Sequence, residues 1–179
     1  MVYLFLADGF EEVEALTVVD VLRRAGVALR TVSIMKDLTV TGDHGVPVIA
    51  DELFEDVDYV QCEMIILPGG GPGTQRLLAH EGLKSVLAAF AAADKWIAAI
   101  CAAPMILAKN GLLAGKKATI YDGMKAELAG IDYRRENVVR DGRIVTSRGP
   151  GTAMDFAFAL ANILAGEETA GRVRADMLL

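Results

Sequence analysis

The stretch that decides the fold is Trp96-Ile97-Ala98-Ala99-Ile100-Cys101-Ala102-Ala103-Pro104. An apolar run of strand length ends in a cysteine, and three residues later a proline takes the place it favours at the start of a helix. A strand with no polar alternation is buried on both faces, which is the property of a parallel sheet covered by helices on each side. The residues two positions either side of Cys101 are Ala99 and Ala103. Small neighbours are what a nucleophile needs on a sharp strand-to-helix turn. There the sulfur lies over the N-terminus of the following helix, whose free N–H groups favour a thiolate. The competing reading is a buried structural cysteine. Cys62, at the start of another strand with nothing near it to activate a thiol, reads as structural.

Working outward, strand and helix alternate. Val2–Ala7 is a buried strand stopped by Asp8-Gly9, and 11–25 reads as a helix with acids in its first turn, Arg23-Arg24 in its last and Gly26 as its stop. Val27–Met35 is a second strand, Leu38–Ala50 a hairpin or bent excursion, and Met64–Leu67 a third strand. Leu83, Val86, Leu87, Phe90 and Ala91 recur at helical spacing, the stripe of a covering helix. A helix after Cys101 runs to Asn110. Ala118–Tyr121 is a short strand, Val138–Ser147 a hairpin turned at Asp141-Gly142, and a last major helix starts near Gly151. The pattern is an α/β sandwich with a mostly parallel sheet in one domain over residues 1–179. In such sheets ligands bind at the carboxyl ends of the strands.

Two more features fall at that edge. Glu14 shares a helical face with Val18, Val21 and Ala25, the face turned to the sheet. A buried carboxylate is costly unless paired or protonated, so Glu14 is expected to share a hydrogen bond with a group at the strand ends. The glycine-rich Pro68–Thr74 follows a strand but lacks the Gly-Lys-Ser/Thr tail of a phosphate loop; it is either a tight turn or a row of backbone N–H groups able to hold an oxyanion.

Bulk properties exclude several classes. The 179 residues carry a net charge of −6 and no basic stripe, which argues against nucleic acid as a partner. The longest apolar run, Trp96–Ala108, falls short of the roughly 20 residues of a membrane span. No signal-peptide pattern precedes the first strand, and two cysteines form no disulfide framework, so a cytoplasmic setting is expected. His44 and His80 sit at no metal-ligand spacing, so no metal is expected. His80 reads as a solvated loop residue.

Together these pieces resemble the ThiJ/PfpI superfamily, in the branch of the parkinsonism-associated deglycase and its bacterial relatives. The resemblance rests on Ala7-Asp8-Gly9-Phe10-Glu11-Glu12-Val13-Glu14, Val19-Asp20-Val21-Leu22-Arg23-Arg24-Ala25-Gly26, Leu67-Pro68-Gly69-Gly70, Ala98–Pro104 and Thr146-Ser147-Arg148-Gly149-Pro150-Gly151-Thr152. It implies a flavodoxin-like fold related to the class I glutamine amidotransferases, a homodimer, no cofactor, and a reactive elbow cysteine that oxidises to sulfinate beside a hydrogen-bonded glutamate. On this sequence those are Cys101 and Glu14. It further implies oxyanion donors at Gly69, Gly70 and Ala102, and Arg148 lining a pocket where small anions settle; an interface or capping ion pair is the other reading of Arg148. Where several relatives place a histidine beside the cysteine, this chain has Tyr121, which can orient a substrate but is a poor general base at neutral pH.

The expected function is a reactive-cysteine stress protein acting on 2-oxoaldehydes or glycated adducts, glyoxalase III-like or deglycase-like. The alternatives are a redox sensor or chaperone switched by oxidation of Cys101, and a thiamine-related or protease-like hydrolase suggested by family names alone.

Overall fold

In the computed structural model, which describes residues 1–179, the apolar runs become strands in chain order. They are β1 (Val2–Leu6), β2 (Leu29–Ser33), β3 (Thr39–Thr41), β4 (Pro47–Ile49), β5 (Glu52–Leu53), β6 (Met64–Leu67), β7 (Trp96–Ile100), β8 (Lys117–Ala118), β9 (Asp132–Tyr133), β10 (Val138–Asp141) and β11 (Ile144–Ser147). The helices are α1 (Glu12–Arg24), α2 (Gly71–Ala79), α3 (Glu81–Ala92), α4 (Pro104–Lys109), α5 (Ala153–Ala165) and α6 (Glu167–Asp176). The main sheet has seven strands in the order β10-β11-β7-β6-β1-β2-β5. Every neighbouring pair is parallel except the hairpin β10–β11. This is a flavodoxin-like α/β sandwich.

Successive strand residues face opposite sides, and the core divides accordingly. Leu4, Ile66, Ala98 and Ile100 pack with Val18, Leu22, Phe156 and Leu160 of α1 and α5. Phe5, Ile65, Leu67 and Ala99 pack with Leu83, Leu87, Phe90 and Leu107 of α3 and α4. Each of the larger of these buried side chains contributes roughly 1.5–3 kcal/mol, and the alanines less. The chain runs outward from β1 to β2 and β5, then returns to build β6, β7 and β11 on the other side. The order therefore reverses between β1 and β6, and the crevice at that reversal is where such sheets bind ligands.

Several expectations change in detail. Helix α1 begins one residue late because Glu11 is its N-cap, its Oε1 accepting from the Val13 N–H at 3.4 Å. The Gly-rich segment after β6 opens a helix that periodicity did not announce: Gly70, at φ 90°, caps α2 and Pro72 occupies its first turn. The expected strand Ala118–Tyr121 shrinks to β8, which pairs with β9 away from the main sheet, while the Thr119 N–H goes to Thr146 Oγ1 at 2.9 Å. A 3₁₀ turn, Pro150–Thr152, precedes α5. His80 is no solvated loop residue. It caps α3 through Nδ1, which accepts from the Leu83 N–H at 3.0 Å, and its ring packs edge-on against Phe54. No helix is long and apolar enough to cross a membrane.

Candidate active site

Cys101 occupies the turn between β7 and α4 with φ at 62°, a left-handed conformation that side chains other than glycine adopt at a cost. The strained backbone is held from two sides. Its N–H donates to Ser147 O at the end of β11 (3.0 Å), and its carbonyl accepts from the Tyr121 N–H (2.9 Å). Ala99 and Ala103 are fully buried, which is why only small side chains fit there. The thiol itself stays partly accessible, whereas Cys62 is buried and donates to Met64 O.

Glu14 is fully buried on the sheet-facing side of α1. Its Oε2 accepts the Gly69 N–H at 2.7 Å, and Oε1 has no hydrogen-bond partner. The Cys101 thiol is near enough for the two groups to affect each other's protonation, yet the resting contact falls short of relieving Oε1. Gly69 must be glycine: an added Cβ would stand 2.6 Å from Glu14 Oε2 and 2.7 Å from Cys101 Cβ. The Gly69 carbonyl also accepts the Glu11 N–H at 3.0 Å, so β6 and the start of α1 are tied across the crevice. The Gly9-Phe10 turn sits against α2, with Gly73 N–H on Gly9 O at 3.0 Å, and the β3–β4 hairpin covers it through Gly9 N–H on Thr41 O at 2.7 Å.

Burial lifts the Glu14 carboxyl from 4.5 to about 7, outweighing the nearby Cys101 thiol and the Gly69 N–H bond, which favour its charged form. Burial and then the Glu14 carboxylate push the Cys101 thiol well up, against the opposing pull of the Ala102 and Gly70 N–H groups. The expectation of a thiolate made by the helix N-terminus alone is therefore corrected. Helix α4 is only six residues long, and a buried acid faces the sulfur. Carboxyl and thiol titrate as a unit. The first proton leaves near neutral pH, after which one proton and one negative charge are shared between them. When Glu14 keeps that proton, repulsion on the sulfur disappears and the Ala102 and Gly70 N–H groups face a thiolate.

The expected oxyanion donors separate in the same way. Gly70 and Ala102 present their N–H groups to the sulfur, while Gly69 spends its own on Glu14, so Gly69 positions the acid and is not a free donor. Beside the cysteine a pocket of about 490 Å³ is lined by Tyr121, Asp122, Asn137, Arg148 and the Gly149–Thr152 backbone. Cys101 is outside that lining, and Gly149 joins the two: a Cβ there would lie 3.9 Å from Cys101 Sγ and 3.5 Å from the Tyr121 ring. Tyr121 is half exposed. Arg148 is in the pocket but not free for an anion, because Asp122 holds it at 2.9 Å. Sequence reasoning missed Asp122, whose only signal is that it directly follows Tyr121. A second cluster lies at the mouth of the crevice, where the exposed His44 meets Glu12 at 2.9 Å and Glu11 at 3.6 Å. Both Glu12 oxygens are already engaged by the His44 ring and the His44 and Val46 N–H groups, which pins the hairpin to α1.

Residues 1–163 match the profile of the DJ-1/PfpI family. The chain belongs to that family. It is 36% identical to the dj-1beta protein of Drosophila melanogaster over 97% of this chain and 94% of that one. A protein of Pyrococcus abyssi named as a deglycase is 34% identical over 84% of this chain and 90% of its own. The solved Drosophila DJ-1beta structure superposes with a TM-score of 0.96 at 36% identity, covering 99% and 97% of the two chains. Oxidised Toxoplasma gondii DJ-1 gives 0.94 at 36% identity, with the same coverage of 99% and 97%. The chain spans only 37% and 42% of two Arabidopsis thaliana DJ-1 homologues, to which it is 36% and 37% identical over 91% and 92% of its own length.

Proposed function

We propose that this DJ-1/PfpI protein is a cofactor-independent enzyme acting on 2-oxoaldehydes such as methylglyoxal, or on their glycated adducts. The observation that carries the reading is a fully buried carboxyl with one unpartnered oxygen beside a partly accessible thiol. Such an acid, with its proton leaving near pH 7, suits proton transfer at neutral pH. The Cys101 sulfur adds to the aldehyde carbon, the carbonyl electrons move onto oxygen, and Glu14 supplies the proton that makes a hemithioacetal. Gly70 and Ala102 N–H groups steady the developing oxyanion. Glu14, now a carboxylate, takes the proton from the former aldehyde carbon and returns it to the neighbouring one, while the hydroxyl proton passes from the first carbon's oxygen to the second's. Water cleaves the resulting thioester, so aldehyde plus water gives a 2-hydroxy acid with no net oxidation. Tyr121 orients the substrate, and the absence of a histidine partner for Cys101 argues against peptidase chemistry. Methylglyoxal consumption by the wild type and by Cys101→Ser decides it. Turnover lost in the variant is expected; equal consumption, or none by the wild type, overturns the proposal.

The accessible sulfur also favours a second reading, a sensor whose Cys101 stops at sulfinate. Its mark is a mass gain of two oxygens at Cys101 at low peroxide without aldehyde turnover. The chain is further proposed to work as a cytoplasmic homodimer. Val13, Leu16, Val46 and Ile49 are exposed apolar residues on α1 and the adjoining hairpin, and a second copy would cover them.

A further inference from the structure

The guanidinium in the pocket beside Cys101 already holds a carboxylate. Arg148 Nη2 donates to Asp122 Oδ2 at 2.9 Å and Nε to Oδ1 at 3.2 Å, the fork-to-fork geometry with which arginine receives a carboxylate ligand. Asp122 is secured further by the Tyr133 hydroxyl, which donates to Oδ1 at 3.2 Å, and by Arg135 at 3.3 Å. The third nitrogen of Arg148 reaches Asn137 Oδ1 at 3.5 Å. Asp122 is placed by the elbow itself, since the preceding residue, Tyr121, donates its N–H to Cys101 O. The Arg148 guanidinium holds the Asp122 carboxyl below its usual range, so it stays ionised wherever the enzyme works. What remains for a ligand is a pocket lined by a neutralised ion pair, a phenol, an amide, a hydroxyl and glycine backbone.

We propose that Asp122 is a specificity-determining residue: by filling Arg148 it turns the Cys101 site away from aldehydes that carry a carboxylate and toward uncharged 2-oxoaldehydes. This deepens the function proposed above and rests on it for the substrate class, while the access it describes is to the sulfur itself. A substrate carboxylate can reach Arg148 only by displacing an internal one that has three partners and no translational freedom to lose. Asp122→Asn keeps the shape and a hydrogen bond to Arg148 and gives up the charge.

Two pairs of probes of similar size test this, each with one neutral and one anionic member. Iodoacetamide and iodoacetate report access to Cys101 by alkylation rate, and 4,5-dioxopentanoate and its methyl ester, one 2-oxoaldehyde with and without the charge, report turnover by kcat/KM. In Asp122→Asn the iodoacetate-to-iodoacetamide ratio should rise about tenfold, equivalent to about 1.4 kcal/mol, and the acid-to-ester ratio of kcat/KM should rise with it. The gain should vanish in Asp122→Asn/Arg148→Gln. An unchanged alkylation ratio in folded Asp122→Asn overturns the proposal. So does a gain that survives in the double variant, whose net charge equals that of the wild type, because Arg148 would then not be its source. A shifted alkylation ratio in a protein that turns over neither aldehyde removes the enzymatic reading and leaves the selectivity of the sulfur standing.

Discussion

Replacing Glu14 with Gln should make the protein more stable, and increasingly so as pH rises. The carboxyl is lifted by burial from 4.5 to about 7 on folding. An acid with a raised pKa holds its proton more tightly in the folded state, so its contribution is fully present below pH 4.5 and is lost as pH climbs through 7. At about 1.4 kcal/mol per pH unit the loss is on the order of 3 kcal/mol once the pH is past 7. Gln has no proton to lose, accepts the Gly69 N–H through its carbonyl and turns an NH₂ group toward the sulfur. The stability gain over wild type should be about 1 kcal/mol at pH 5 and about 3 kcal/mol at pH 8. Urea unfolding of both proteins at those two pH values, with equal m-values as the check on two-state behaviour, measures it. Keeping to pH 8 and below leaves the Cys62 thiol, which burial pushes up to about 11, outside the comparison. A gain that does not change between pH 5 and 8 would mean that Glu14 ionises in the fold as it does in water, and the account of the carboxyl–thiol pair would be wrong.

Iodoacetamide should label Cys101 well before Cys62, because the Cys101 sulfur is partly accessible and Cys62 is buried; peptide mapping showing Cys62 first would contradict this. In Glu14→Gln the labelling of Cys101 should extend to lower pH, because the negative charge that holds the thiol up is gone. Light scattering at micromolar concentration should give twice the chain mass, and Val13→Glu should halve it; a wild-type monomer would refute the proposed dimer. Cys101→Gly should stabilise the fold by about 1 kcal/mol by relieving the left-handed backbone, read as a higher urea midpoint, and an unchanged or lower midpoint would show that φ 62° costs little here.

The centre of the sheet was legible because β1, β6 and β7 are short apolar runs that stop abruptly, as Met64–Leu67 does before Pro68-Gly69. Glu14 and Cys101 stood out for the same kind of reason: an acid on an apolar helical face and a cysteine at the end of an apolar strand both break a pattern. Helix α2 was hidden because Gly71, Pro72 and Gly73, poor helix formers, occupy its first turn, and tertiary contact with the Gly9 carbonyl overrides propensity there. Which glycine N–H serves which group depends on the distance between α1 and β6, and no spacing along one strand encodes that. The same holds for Asp122 and Arg148, whose pairing is a property of two loops meeting over the elbow. The thiol was misjudged because a helix N-terminus is visible in sequence and a buried negative charge facing it is not.

The cysteine held at φ 62° has a consequence for how this chain can vary. Its backbone N–H and carbonyl tie β11 and the Tyr121 segment to β7, and those two bonds need nothing from the side chain. The joint and the chemistry are therefore separable. Serine or alanine can stand at 101 with the stitching intact, while a branched side chain, unable to sit in the left-handed region, would loosen two neighbouring segments along with the reactive group. The fold tolerates an exchange of nucleophile far better than a change of shape at the same position. Idle versions of this protein, with every hydrogen bond of the elbow preserved, lie one substitution away.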